Sequence, residues 1–130
     1  MKITAYRILL ISLLLGAGCA ATGPRPRVGE DRPEVGMASY YDSGLHGERT
    51  ASGRTYDDRG KTAAHRTLPF GTRVRVTNLA NGKSVVVEIT DRGPFVRGRI
   101  IDVSGRAAEE LGFRRAGTAR VRVDVLLGSR

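Results

Sequence analysis

Three short valine-rich segments, two of which alternate valine with polar or charged residues, set the tightest limit on what this chain can fold into. Thr72–Asn78 places Val74 and Val76 between Arg73 and Arg75, Ser84–Thr90 carries Val85, Val86, Val87 and Ile89, and Arg120–Leu126 puts Val121, Val123 and Val125 on one side. A period of two is that of a strand with one face in a core and the other in water. Asn81-Gly82, between the first two segments, is a strong hairpin signal because both residues tolerate positive φ. The segments predict half-buried strands of an antiparallel or mixed sheet. One helix is predicted after Ser104, which can cap it; Ala107, Ala108 and Leu111 give its apolar stripe and Gly112 its end. Several short strands and one helix suggest a small barrel.

The N-terminal part of the chain has another character. Lys2 and Arg7 precede an apolar run, Ile8–Leu15, which leads into Gly16, Ala17, Gly18 and Cys19. The run is far shorter than the roughly 20 residues of a spanning helix. Residues 1–18 therefore read as a secretory signal. Residues 19–35 hold Pro24, Pro26 and Pro33 among glycines and mixed charges, with few apolar residues, and read as an extended tether. The folded domain is expected over residues 36–127, enough for one core but not two.

Cys19 is the sole cysteine, so no internal disulfide can form. With two histidines and no cysteine in the domain, neither a zinc site nor any other metal or cofactor is expected. The net charge is +9, or +7 once Lys2 and Arg7 leave with the signal. Basic residues are spread along strands rather than clustered. Together with export, this argues against nucleic acid as a partner and for an anionic polymer or membrane surface.

Candidate reacting groups are Asp91, His65, Glu48, Asp57 and Asp58. Asp91 ends the second valine segment and opens the turn Asp91-Arg92-Gly93-Pro94, in which Pro94 biases Gly93 toward extended backbone. A carboxylate at a strand end on a rigid scaffold is well placed to react; it can equally cap the turn and pair with Arg92. His65 can hold substrate or tune a nearby carboxylate, or simply bond a loop backbone. The Gly-, Ser-, Thr- and Asp-rich stretch Tyr41–Lys61 is long for a small domain, and such loops are usually functional. Tyr40, Tyr41 and Tyr56 can stack on sugar rings or serve as core and rim.

Gly36–Tyr41, His46–Gly53, Thr62–Gly71, Val74–Leu79, Asn81-Gly82, Asp91–Pro94 and Gly98–Ser104 together resemble the RlpA (rare lipoprotein A) family of septal lytic transglycosylases. The resemblance implies a mainly β fold, a six-stranded double-psi β-barrel with one or two short helices. It implies an envelope lipoprotein whose Leu15–Cys19 segment resembles a lipobox, with Cys19 carrying the lipid and the protein on the outer membrane facing the periplasm. It implies glycan strands of peptidoglycan as partner, cut between MurNAc and GlcNAc to leave a 1,6-anhydro end during daughter-cell separation. Asp91 becomes the catalytic acid and His65 a second catalytic residue, with Arg54, Tyr41, Asp57 and Arg92 binding substrate. One acid suffices in such chemistry, because the sugar's own C6 hydroxyl replaces water as nucleophile.

Two departures follow. The family's loop resembles Thr-Ala-Asn-Gly-Glu, whereas Thr50–Arg54 ends in a permanent cation that cannot act as acid or base. Many members also carry a separate peptidoglycan-binding SPOR domain, and a chain ending at Arg130 is expected to lack it. Two readings result: a transglycosylase acting through Asp91, or an expansin-like module that grips glycan without cutting it. Position 54 separates them, since restoring an acid there raises activity only in the first.

Overall fold

The computed structural model describes residues 32–126. The signal segment, Cys19, most of the tether and Leu127 lie outside the described residues. Six strands, β1 (Glu34–Tyr40), β2 (Thr62–His65), β3 (Arg73–Asn78), β4 (Ser84–Asp91), β5 (Arg99–Val103) and β6 (Ala119–Val125), close into a barrel in the order β1-β5-β2-β4-β3-β6. A 3₁₀ turn (Ser43–Leu45) follows β1, and one α-helix, α1 (Gly105–Leu111), lies between β5 and β6. β1 begins within the span expected as tether, since Glu34 and Val35 pair with Val123 and Arg122 of β6.

The three valine segments are β3, β4 and β6, and their alternation points Val74, Val76, Val85, Val87, Val121 and Val123 into the core while Arg73 and Arg75 stay exposed. Fully burying one such side chain is worth about 1.5–3 kcal/mol. β3 pairs antiparallel with both β4 and β6, and the β3–β4 turn holds Gly82 at φ +76°. Ser104 caps α1 by accepting from the Ala107 N–H at 3.3 Å, and Gly112 ends it at φ +78°. Ala107, Ala108 and Leu111 of α1 complete the core with Phe113.

β1, β2 and β5 do not alternate. β1 runs parallel to β5 and β2 parallel to β4, and each of these pairs contains a register shift, between Met37 and Ala38 and between Ala63 and Ala64. Across the second shift, Ala63 faces Ile89 but Ala64 faces Asp91, so Thr90 is an extra residue in β4. Ile89 and Thr90 are therefore both buried, and Glu88 and Asp91 emerge half-buried on the same side.

Candidate active site

Ala64 is the lateral neighbour of Asp91 in β4 and of Asp102 in β5. Two acids thus flank one small residue on one face of the barrel. At about 4.8 Å per strand spacing, their Cα atoms stand about 10 Å apart. Over them opens a groove of about 340 Å³, lined by Tyr41, Ala64, Asp91, Arg92, Phe95 and Asp102 among others, at the lower end of the range for small-ligand sites.

Asp91 sits at its floor with both oxygens engaged. Oδ1 accepts the backbone N–H groups of Ala51 (2.8 Å) and Arg92 (2.9 Å), while Oδ2 accepts the Tyr41 hydroxyl. The two oxygens therefore differ in kind. Oδ1 is fixed by amides that cannot turn; Oδ2 is held only by a hydroxyl that rotates.

The Ala51 amide reaches Asp91 because the loop after β1 is ordered and laid along β4. A tight turn closes over Thr50–Gly53, where the Gly53 N–H meets the Thr50 carbonyl at 2.9 Å and Arg49 bridges to Thr55. Three bonds fasten this turn to one edge of β4: Ala51 N–H to Asp91, Ser52 N–H to the Thr90 carbonyl (3.2 Å), and the Arg54 guanidinium to Glu88 (2.5 Å). Tyr56 pins the loop's far end, donating to Asp58 (2.8 Å) and accepting from the Gly105 N–H (3.1 Å) at the start of α1.

Tyr41 is stacked on Tyr56, with ring centroids 4.5 Å apart and planes 19° from parallel. Burial first, then the bond to Asp91 and the negative charges of Asp91 and Asp102, hold the Tyr41 phenol far above the ordinary tyrosine range. Tyr41 is thus a neutral hydroxyl at any working pH. Burial also raises Tyr56; the Gly105 amide opposes this and the bond to Asp58 adds to it.

Asp102 accepts from Ser39 and from Arg99 (2.6 Å), so a cation offsets its charge. Arg92 lines the groove, but its guanidinium turns away from Asp91, donating to the carbonyls of Leu68 (2.8 Å) and His65 (3.2 Å) and lying over the Phe70 ring at 4.1 Å. It fixes the segment after β2 rather than pairing with the acid. Gly93 is not extended as Pro94 led us to expect. It takes φ +114°, and the Gly93–Pro94 peptide is cis.

The structure does not bring His65, Arg54 or Asp57 into the groove. Ala64 lines it, so the next strand residue turns the other way. The His65 ring is buried, and its Nδ1 accepts the N–H groups of Thr67 (3.2 Å) and Leu68 (3.1 Å). The ring proton is then on Nε2, which donates to Glu34 at 2.8 Å. With Nδ1 an acceptor, the contact is a hydrogen bond from the ring to the Glu34 carboxylate. Both ring nitrogens are used in joining β1, β2 and the following turn. Arg54 is committed to Glu88. Asp57 lines a separate hollow with Ser43, His46 and Asp58, where it accepts from the Arg59 N–H at 2.9 Å. His46 Nδ1 lies 3.8 Å from Asp57 but accepts the Asp58 N–H at 3.1 Å, so it has no proton there to share with Asp57.

Sequence reasoning missed Asp102 and Glu88. Glu88 reads as a solvent-face residue of an alternating strand.

A family model described as lytic transglycolase matches residues 33–123. A probable endolytic peptidoglycan transglycosylase RlpA of Synechocystis sp. is 56% identical over 95 residues, which are 73% of this chain and 30% of that protein. The endolytic peptidoglycan transglycosylase RlpA of Pseudomonas aeruginosa is 58% identical over 90 residues, 69% of this chain and 26% of that protein. The chain thus spans under a third of the length of these two relatives. Among solved structures, the Streptomyces papain inhibitor aligns with TM-score 0.61 at 22% identity, covering 76% of this chain and 98% of that one. The apo expansin of Clavibacter michiganensis aligns with TM-score 0.60 at 21% identity, covering 76% and 52%. At such identities these two structures share the fold and nothing finer is drawn from them.

Proposed function

The chain belongs to the lytic transglycolase family, and from that premise we propose that it is an endolytic peptidoglycan transglycosylase that cuts MurNAc–GlcNAc bonds through Asp91. The observation that carries this reading is the asymmetry of the Asp91 carboxylate at the floor of the groove. Oδ1 is immobilised by the Ala51 and Arg92 amides, and Oδ2 is free to exchange its one hydroxyl partner.

The reaction balances on that oxygen. Asp91 carries the proton on Oδ2, with the Tyr41 hydroxyl turned from donor to acceptor or aside. The proton passes to the glycosidic oxygen of the departing GlcNAc as the bond to C1 breaks. The C6 hydroxyl of the same MurNAc closes on C1 and returns its proton to Oδ2, leaving a 1,6-anhydro end and a regenerated acid with no water consumed. Positive charge develops at C1 near Asp91 and Asp102, which favours the transition state electrostatically. Such a cut serves wall remodelling and the separation of daughter cells.

The test is digestion of peptide-free glycan strands by the purified protein, read by mass spectrometry for 1,6-anhydro-MurNAc ends. The reading predicts such ends from the parent and none from Asp91→Asn; equal amounts from both would reject it. A binding-only, expansin-like reading draws on one observation: both Asp91 oxygens already have partners. It predicts cosedimentation with strands and no new ends from either protein.

The lipobox-like Leu15–Cys19 segment supports a lipid anchor on Cys19 and a place at the outer membrane facing the periplasm. Two or more acyl chains on one residue anchor far more firmly than one. Palmitate labelling that persists in Cys19→Ala would contradict this.

A further inference from the structure

Six aromatic side chains fall among the described residues, and five are occupied. Tyr41 and Tyr56 stack on each other. Tyr40 packs against Phe113, with ring centroids 5.9 Å apart, and donates to the Arg114 carbonyl at 2.7 Å. Phe113 is buried, and Phe70 has the Arg92 guanidinium over one face. Phe95 is the exception. It is 80% exposed, and it stands in the wall of the groove that has Asp91 at its floor.

A lone exposed phenylalanine means little on a protein surface. Here its placement is built. Its ring lies 3.6 Å from where a Cβ on Gly93 would stand, an ordinary contact distance, beside a turn whose φ of +114° favours glycine. Pro94 fixes the backbone just before it. The ring is thus held four residues from Asp91 on a short, stiff arm.

The groove offers one apolar plane beside several hydrogen-bonding groups. An equatorially substituted pyranose has the matching surface, with C–H bonds across its faces and hydroxyls around its edge. A C–H face lies flat on an aromatic ring, while the hydroxyls can meet Asp42, Asp91 and Asp102, which share the groove. A lipid chain or an apolar peptide would cover these acids without partners, which is costly.

We propose that Phe95 is the sugar platform of this groove, taking the apolar face of one pyranose of a glycan strand and so setting which bond lies over Asp91. This rests on the glycan reading above. It adds a binding residue that is separable from the chemistry.

The chain contains no tryptophan, so Phe95→Trp installs a single fluorophore at the platform itself. In the full chain carrying Asp91→Asn as well, which prevents turnover, the tryptophan emission is expected to shift and saturate as peptide-free glycan strands are added. A tryptophan at Leu79 in the β3–β4 turn, the partner probe, is expected to stay unchanged. Phe95→Ala is expected to weaken cosedimentation with the strands about tenfold, with Phe95→Tyr restoring it. Phe95 is too exposed for these changes to disturb folding, and circular dichroism checks that. If the parent binds strands, Phe95→Ala binds equally well and the tryptophan stays silent, the platform is overturned and the glycan reading stands. If the parent itself binds no strands, both fall. A tryptophan that responds to cellohexaose but not to peptidoglycan strands keeps the stacking role and removes the peptidoglycan substrate.

Discussion

The barrel has two sides built on different rules. Where β3 meets β4 and β6, the ladders are antiparallel with no register shift, and in β3 and β6 valines alternate with arginines. Where β1 meets β5 and β2 meets β4, the pairs are parallel and each is broken by a shift. The regular side sends its valines into the core, to which the broken side adds Ala38, Ala63, Ile101 and Val103. The broken side re-aims side chains, since the extra residue at Thr90 brings Glu88 and Asp91 to one face and Ala64 leaves a gap between Asp91 and Asp102. The lesson is that both sides carry the core, while the groups re-aimed for chemistry come from the broken side alone.

Mutations can break that division. The largest effect is expected from Val76→Ala on the regular side, which empties a fully buried position. It should cost about 2–3 kcal/mol in denaturant unfolding and leave the kcat of the folded fraction unchanged. A loss of kcat without a loss of stability there would erase the distinction.

Alkali probes the wall where the two tyrosines stack. Tyr56 is buried, and its phenol is held above the ordinary range near 10. Above pH 10 the unfolded chain therefore releases a proton that the folded chain keeps, so stability is intact below about pH 10 and falls as pH rises beyond it. The slope approaches 1.4 kcal/mol per pH unit for this one group, read as unfolding midpoints against pH. Tyr56→Phe should flatten the decline.

Tyr41→Phe should show the reverse of Val76→Ala. It removes the hydroxyl on Asp91 Oδ2, where groove water can replace it, so stability changes by less than about 1 kcal/mol. Activity should fall on the order of tenfold, with a displaced pH–rate profile, because that hydroxyl is the group that exchanges with the proton.

The smallest effect belongs to Arg54 and Glu88, both substantially exposed. Because Arg54 is bonded to Glu88 and does not line the groove, Arg54→Glu is expected to lower activity by loosening the turn that delivers the Ala51 amide, not to raise it as the family's loop led us to expect, and to lower stability by at most about 1 kcal/mol. The double exchange Arg54→Glu with Glu88→Arg should recover the parent's activity. Failure of the exchange to recover it would show that the pair does more than fasten the loop.

The same division governs what the sequence discloses. β3, β4, β6 and both caps of α1 are local: alternation, Asn81-Gly82, Ser104 and Gly112 are legible within a few residues. β2 is not, because a strand between a parallel and an antiparallel neighbour is buried on both faces, and Ala63, Ala64 and His65 show no period. Asp91 was legible as a carboxylate at a strand end. The direction of the His65 ring was not, since it follows from which face Ala64 presents. Asp102 and Glu88 became site residues only through register with β2 and through the extra residue at Thr90, and no local pattern encodes either.

The claim that this broken side is where the glycan sits has one direct test: a crystal structure of the Asp91→Asn protein with a peptide-free MurNAc–GlcNAc tetrasaccharide. The account predicts a glycosidic oxygen within hydrogen-bond reach of the residue 91 side chain and a pyranose face against Phe95. A tetrasaccharide bound instead in the hollow of His46, Asp57 and Asp58, with the groove empty, would contradict it.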